Sequence, residues 1–191
     1  MFDHLLEHLE HFAGDACMSG GAKGSDCEWG RIAAKHGQEV LHFTFHGHSY
    51  KGHDPVYNVP VPADYLDLGI PKLKVANQVL GRKIPAPGYV RNLLCRNWYQ
   101  VKYSTSVYAV ANIRYGQVEG GTAWAVQMFL DRNLRDGHAY VLDKITLKWY
   151  EFKHQEWEEI DKPPRPSGVW AGIGSREITP QIIRMMEDIW L

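Results

Sequence analysis

An α/β fold with a mostly parallel sheet and helices on both faces is predicted by three observations. Short apolar runs alternate with helical patterns along the whole chain, three of those runs lead straight into glycine loops that open helices, and no internal repeat interrupts the order. Strand, tight glycine turn and helix N-terminus together form the crossover unit of a doubly wound sheet, whose parallel strands need helical connections.

The elements follow in chain order. Phe2, Leu5, Leu6, Leu9 and Phe12 recur at helical spacing among His and Glu, which predicts an amphipathic helix over 2–13 that Gly14 stops. Ala16-Cys17-Met18 reads as a strand running into Ser19, Gly20, Gly21, Ala22, Lys23 and Gly24. Ser25 and Asp26 suit the cap of a helix carrying Trp29, Ile32 and Ala33, and Glu39–Phe45 alternates as the next strand. His46 to Pro62 is a His/Gly/Pro-rich loop; helical patterns follow over 63–81 and 87–101, parted by the breaker Pro85-Ala86-Pro87-Gly88. Residues 46–89 thus stand as a helical insertion. Ser106–Ile113 is a buried strand that feeds the loop Glu119, Gly120, Gly121, Thr122 and another helix, while His138–Asp143 and Thr146–Phe152 are two further strands. A linker at 161–168 leads to the last unit: the apolar run Val169–Ala171, the turn Gly172, Ile173, Gly174, Ser175, Arg176, and Thr179-Pro180 at a helix start.

Composition narrows the partners. With 45% hydrophobic and 23% charged residues, the chain has enough apolar material for one domain over 1–191. A net charge of −1 without a basic block gives no field for double-stranded nucleic acid or an anionic membrane, and no apolar run is long enough to span a bilayer. Cys17, Cys27 and Cys95 are odd in number and unspaced for zinc, which fits a reducing, cytoplasmic setting. Nothing asks for a resident cofactor.

Turns that follow parallel strands all lie at one edge of the sheet. Gly172, Gly174, Ser175 and Arg176, the Ser19–Gly24 loop with Asp26, and Gly120, Gly121 and Thr122 are therefore expected to converge on one anion-binding crevice. Hydroxyls and the Arg176 guanidinium suit phosphate. The glycines equally suit tight turns alone. Asp26 is either a helix cap or a ribose ligand; Arg96 and Asn97 either touch a base or phosphate or brace the loops. Glu119 and Asp26 are the available carboxylates for acid or base work. Trp29, Trp98 and Tyr99 suit base stacking or core packing. His46, His48, His53 and Asp54 form either a metal site or a polar loop. Cys27, beside a helix N-terminus, is either a lowered-pKa thiol or core filler.

The segment Ser19–Asp26 resembles the SGGA-x-G-[AS]-D loop of the SLOG superfamily, the Rossmann-like group that includes the cytokinin-activating LOG enzymes, DprA-like proteins and molybdenum-cofactor carriers. Gly172–Pro180 is similar to its opening GIGSR-x-TP, Arg96-Asn97-Trp98-Tyr99-Gln100-Val101 to an ARN-x-[YF]QV segment, and Gly120–Ala123 to a GGT-x-x-A loop of a phage branch. The order differs: the opening strand and helix stand at the C-terminus, so the chain resembles a circularly permuted SLOG domain, with Val169–Ile173 expected beside Ala16–Met18 and Leu191 near the N-terminal helix. LOG-type hydrolases carry a glutamate where Ala125 and Val126 stand here. The resemblance therefore implies a nucleotide-derived ligand that is bound rather than cleaved, as by a phage sponge for a host immune signal in the host cytoplasm. The alternative it implies is a nucleotide N-glycosidase. It also implies a homo-oligomer, for which the apolar faces of helices 2–13 and 179–190 provide the surface.

Overall fold

The computed structural model describes residues 2–48 and 57–191. Its elements run α1 (Phe2–Glu10), β1 (Ala16–Ser19), α2 (Ser25–Lys35), β2 (Glu39–Thr44), β3 (Tyr57–Pro60), α3 (Ala63–Asp67), α4 (Gly69–Leu80), α5 (Tyr89–Val101) and β4 (Ser106–Ala111). A small hairpin, β5 (Ile113–Arg114) with β6 (Gln117–Val118), precedes α6 (Thr122–Leu130). After it come β7 (His138–Asp143), β8 (Lys148–Lys153), β9 (Glu156–Ile160), β10 (Val169–Gly174) and α7 (Pro180–Asp188).

Eight strands form one sheet in the order β3-β2-β1-β10-β4-β7-β8-β9. The first six in that order are mutually parallel, and β8 and β9 extend the edge as antiparallel neighbours. The last strand of the chain lies in the middle of the sheet. Ala16 pairs with Val169 and Met18 with Ala171 on one side of β10; Trp170 pairs with Ser106 and Gly174 with Val110 on the other. The expected position of Val169–Ile173 beside Ala16–Met18 is met.

Alternation along each buried strand explains why helices cover both faces. Met18, Leu41, Phe43, Val107, Ala109, Val141, Ala171 and Ile173 join a core with Tyr99, Trp124 and Met128 of α5 and α6. Their neighbours Cys17, Val40, Tyr108, Val110, Tyr140, Leu142 and Trp170 join a second core with Trp29 and Ile32 of α2 and Ile182 and Met186 of α7. Side chains two residues apart share a face, so one strand feeds both cores. Each large side chain fully buried this way contributes about 1.5–3 kcal/mol of transfer free energy. Trp29 sets the second core's geometry, with its ring edge-on to Trp170 at 5.7 Å and to Tyr108 at 6.0 Å between centroids.

Several expectations shift. The helical pattern over 63–81 divides because Pro71 has no N–H to donate and so belongs in a first turn; α4 begins at Gly69. Strand Ser106–Ile113 ends at Ala111, where Asn112 turns its carbonyl to the Glu119 N–H at 2.9 Å and starts the hairpin. The loop from His46 to Pro62 contains an edge strand, β3, and Glu156–Ile160 forms β9 where no strand was expected. Residues 161–168 are a pinned crossover. Tyr108 donates its hydroxyl to the Pro164 carbonyl at 3.0 Å, and Gln38 bridges the Pro166 carbonyl and the Trp170 indole at 2.8 Å each.

Leu191 is not placed beside the N-terminal helix. Leu6 and Leu9 of α1 pack into the first core and Ile182, Met186 and Trp190 into the second, which puts the terminal helices on opposite faces of the sheet. Within the chain the stripes are covered at Leu6, Leu9, Ile182 and Met186, while Phe2, Leu5, Phe12 and Met185 stay partly exposed. No helix among the described residues is long and apolar enough to cross a membrane.

Candidate functional site

Helices switch faces around β10. The connection after β1 runs through α2 on one face, whereas the path from β3 to β4 runs through α3, α4 and α5 on the other, so the loops following β1, β10 and β4 meet at one crevice. Sequence spacing alone could not bring Asp26 to Gly174, which is 148 positions away.

Asp26 sits at the floor of this crevice with a side chain about 10% exposed. Its Oδ2 accepts the Gly20 N–H at 3.1 Å and the Gln100 side-chain amide at 3.3 Å; Oδ1 accepts the Gly174 N–H at 3.0 Å. One carboxylate thus ties the first glycine loop to the third. Asp26 does not cap α2: Gly24 occupies that position, without a side-chain bond. Burial pushes the Asp26 carboxyl above its usual range, against the pull of Arg96 and of these hydrogen bonds.

Arg96, 2% exposed, places Nη1 3.6 Å from Asp26 Oδ2. Burial pushes its guanidinium down while Asp26 pulls it up. Its Nη2 lies 3.5 Å from Nε2 of His48. Burial, followed by the charges of Arg96 and Arg176, takes the His48 imidazole down to about 4, so the ring is neutral near pH 7 and Nε2 can accept from the guanidinium. The buried Nε of Arg96 has no hydrogen-bond partner among the described residues. An unpaired buried donor costs about 1–3 kcal/mol, which makes this nitrogen a point where a ligand acceptor would be favoured.

The first and third glycine loops are spent on each other. Ser25 donates both its N–H and its hydroxyl to the Ser175 carbonyl, at 3.0 and 2.9 Å, and the Ser175 N–H goes to Val110 at 2.8 Å. Ser19 turns its hydroxyl inward to the Asp26 carbonyl at 2.9 Å. Gly24, at φ +95°, brings its Cα so close to the third loop that a Cβ would stand 2.4 Å from the Arg176 carbonyl oxygen. A Cβ on Gly20 would stand 1.7 Å from Arg96 Nη1, so this glycine makes room for the ion pair. These glycines are therefore explained by packing.

The second loop differs. Gly121 begins α6 without a side-chain cap, and Gly121 and Thr122 line the crevice, while the Trp124 N–H turns back to the Gly121 carbonyl at 3.2 Å. Arg82 holds this loop from behind, its Nη1 and Nη2 each 2.8 Å from the carbonyls of Gly120 and Val118.

Together these elements enclose a cleft of about 660 Å³, within the size range of small-molecule sites. Of the expected residues, Ala22, Asp26, Arg96, Asn97, Glu119, Gly120, Gly121, Thr122, Gly174, Ser175 and Arg176 line it. Ser19, Gly20, Gly21, Lys23, Gly24 and Gly172 do not line it; Gly172 faces the Trp29 side chain instead. Leu93, Leu94, Ala125 and Ile173 supply an apolar wall, and Gln100, Asn112, Lys144 and Glu177 join the lining without having been expected. Asn112 and Lys144 each immediately follow the C-terminal end of a parallel strand, the signal by which they could have been found.

Both carboxylates are restrained. Glu119 accepts the Asn112 amide at 3.0 Å and lies 3.5 Å from the Arg114 guanidinium. Ala125 presents no acid to the cleft. Trp29 and Tyr99 are core residues, and Trp98 lies under the Lys72 ammonium at 4.6 Å, outside the cleft lining. Burial pushes the Cys27 thiol up, so the helix terminus does not activate it. His46 is exposed and His48 faces a guanidinium, which repels a cation; His53 and Asp54 lie outside the described residues. Among the described residues no three His, Cys, Asp or Glu side chains are grouped to hold a metal. No family model, curated protein or solved structure matches the chain, so the geometry of this cleft is the ground for a functional reading.

Proposed function

We propose that the cleft binds a nucleotide-derived small molecule by its anionic group and does not turn it over. The observation that carries this reading is the buried Arg96, which lines a cleft shared with Gly121 and Thr122 at the start of α6 and whose Nε and Nη1 have no hydrogen-bond partner among the described residues. The exposed Arg176 and the half-buried Lys144 add cations at the cleft, and the apolar wall of Leu93, Leu94 and Ile173 suits a base or sugar face. Binding without cleavage is supported by Ala125, by the commitment of Asp26 to two loops, and by the pairing of Glu119.

The central, parallel position of β10 supports reading the chain as a permuted Rossmann-like domain of the SLOG kind, in which the loop after β10 stands at the usual opening position. A cytoplasmic sponge for a signalling nucleotide is the role that fits a site built to hold rather than to react.

Calorimetric titration against nucleoside mono- and diphosphates, ADP-ribose and cyclic nucleotides tests the reading, with mass spectrometry of the ligand after denaturation. Saturable binding at one equivalent, intact ligand, and a loss of about tenfold in Arg176→Ala are expected. No saturable binding across the panel overturns it; recovery of a free base and sugar phosphate replaces it with an N-glycosidase.

A further inference from the structure

Arg82 lies outside the cleft lining, on the short connection after α4, yet it is built to act on the cleft. Gly81 ends α4 in the left-handed conformation, φ +60°, and the next N–H, that of Arg82, is fixed by the Asn77 side-chain oxygen at 2.9 Å. This local geometry sends the half-buried guanidinium to two carbonyls of the second glycine loop, Gly120 and Val118, at 2.8 Å each.

The consequence follows from peptide geometry. In a trans peptide the C=O and N–H point in opposite directions. With the Gly120 carbonyl held by Arg82, the N–H of the same peptide unit, that of Gly121, is aimed away from Arg82. Gly121 lines the cleft and begins α6. The positive charge on the carbonyl oxygen also polarises the peptide and strengthens its N–H as a donor, as in any hydrogen-bonded chain. The same guanidinium holds Val118, whose following N–H, that of Glu119, is bonded to Asn112. One side chain therefore holds the two peptide units on either side of the Glu119–Gly120 peptide.

We propose that Arg82 is a positioning residue for anion binding: it aims and polarises the Gly121 N–H at the mouth of α6 without touching the ligand. The proposal rests on the reading of the cleft as an anion site.

Protein labelled with ¹⁵N-glycine, titrated with inorganic phosphate, tests it. In the wild type, the Gly121 amide is expected to shift with saturation. In Arg82→Ala, the Gly121 amide should move before any phosphate is added, the phosphate affinity should fall about tenfold, and Arg82→Lys should recover part of it. Unchanged Gly20 and Gly174 amides, which report the Asp26 bracket, show that the variant keeps its fold. A wild type that gives no phosphate response at Gly121 overturns the anion reading and the proposal with it. A saturable wild-type response that Arg82→Ala leaves equally tight overturns the positioning role alone, as does a loss that Arg82→Lys does not relieve.

Discussion

Asp26 and Arg96 form a nearly solvent-free ion pair, Oδ2 to Nη1 3.6 Å, at the point where the loops after β1 and β10 touch. The pair is a joint. Its carboxylate holds Gly20 and Gly174 together while its guanidinium forms part of the cleft floor, so loop geometry and ligand contact share one electrostatic unit.

Breaking the joint on one side leaves a buried charge and two buried N–H groups unpaired. Asp26→Ala is expected to cost about 3–5 kcal/mol in chemical denaturation, with Asp26→Asn falling between it and the wild type. The double variant Asp26→Ala/Arg96→Met should lose less than the sum of its single changes. Wild-type stability for Asp26→Ala contradicts the bracket.

The His48 ring sets a pH dependence. Its folded value of about 4 lies below the ordinary 6.5, because burial, Arg96 and Arg176 all oppose the imidazolium. Between pH 6.5 and about 4 the unfolded chain takes up a proton that the folded ring refuses, so stability falls as pH drops through that window and this contribution levels off below it. His36 is also pushed down, so the His48→Gln variant isolates the effect by its shallower slope. An anion bound beside Arg96 and Arg176 offsets their charge, and NMR titration of the His48 ring should then show a rise. A ring that titrates near 6.5 in the free protein removes the basis for this prediction.

Gly24→Ala combines a left-handed backbone with a Cβ 2.4 Å from the Arg176 carbonyl oxygen and 2.5 Å from that of Ser175. A loss of about 3 kcal/mol is expected in thermal or denaturant unfolding. Gly37→Ala is the comparison, since its Cβ meets nothing within 4 Å and only backbone strain remains. Equal losses at the two positions would show that the loops do not press on each other.

The start of α7 rests on Thr179, whose Oγ1 accepts the Ile182 N–H at 3.3 Å, with Pro180 in the first turn. Thr179→Ala should lower stability by about 1 kcal/mol, and Thr179→Asp should retain most of it. Cleft binding is expected to survive both changes, because Thr179 does not line the cleft.

Elements with their own periodicity or punctuation were legible. Trp29, Ile32 and the Gly37 stop marked α2, and Thr179-Pro180 marked α7. β9 was missed because Glu156, Glu158 and Glu159 make an edge strand with few apolar residues, and edge pairing is decided by the neighbouring strand. β3 was missed because Pro60 reads as a breaker, although an edge strand tolerates a residue that cannot donate on one side. In the cleft lining, Arg176 was singled out from residue chemistry and Arg96 and Asn97 from the resemblance of residues 96–101, whereas Gln100, Lys144 and the loop-holding Arg82 were not, because each matters through a contact distant in sequence.

By itself the sequence determined that this chain builds strands, glycine turns and helices in alternation, and that two faces of a sheet would be covered. Those properties follow from side-chain period and backbone preference within a dozen residues. Only the tertiary structure decided which glycines serve the cleft. Gly20, Gly24 and Gly174 are drawn into the contact between two loops that Asp26 brackets, while Gly120 and Gly121 stay open at α6. The physical reason is hydrogen-bond saturation at Gly20 and Gly174, whose N–H groups are already given to the Asp26 carboxylate, and close backbone approach at Gly24. Both depend on β10 entering the sheet between β1 and β4.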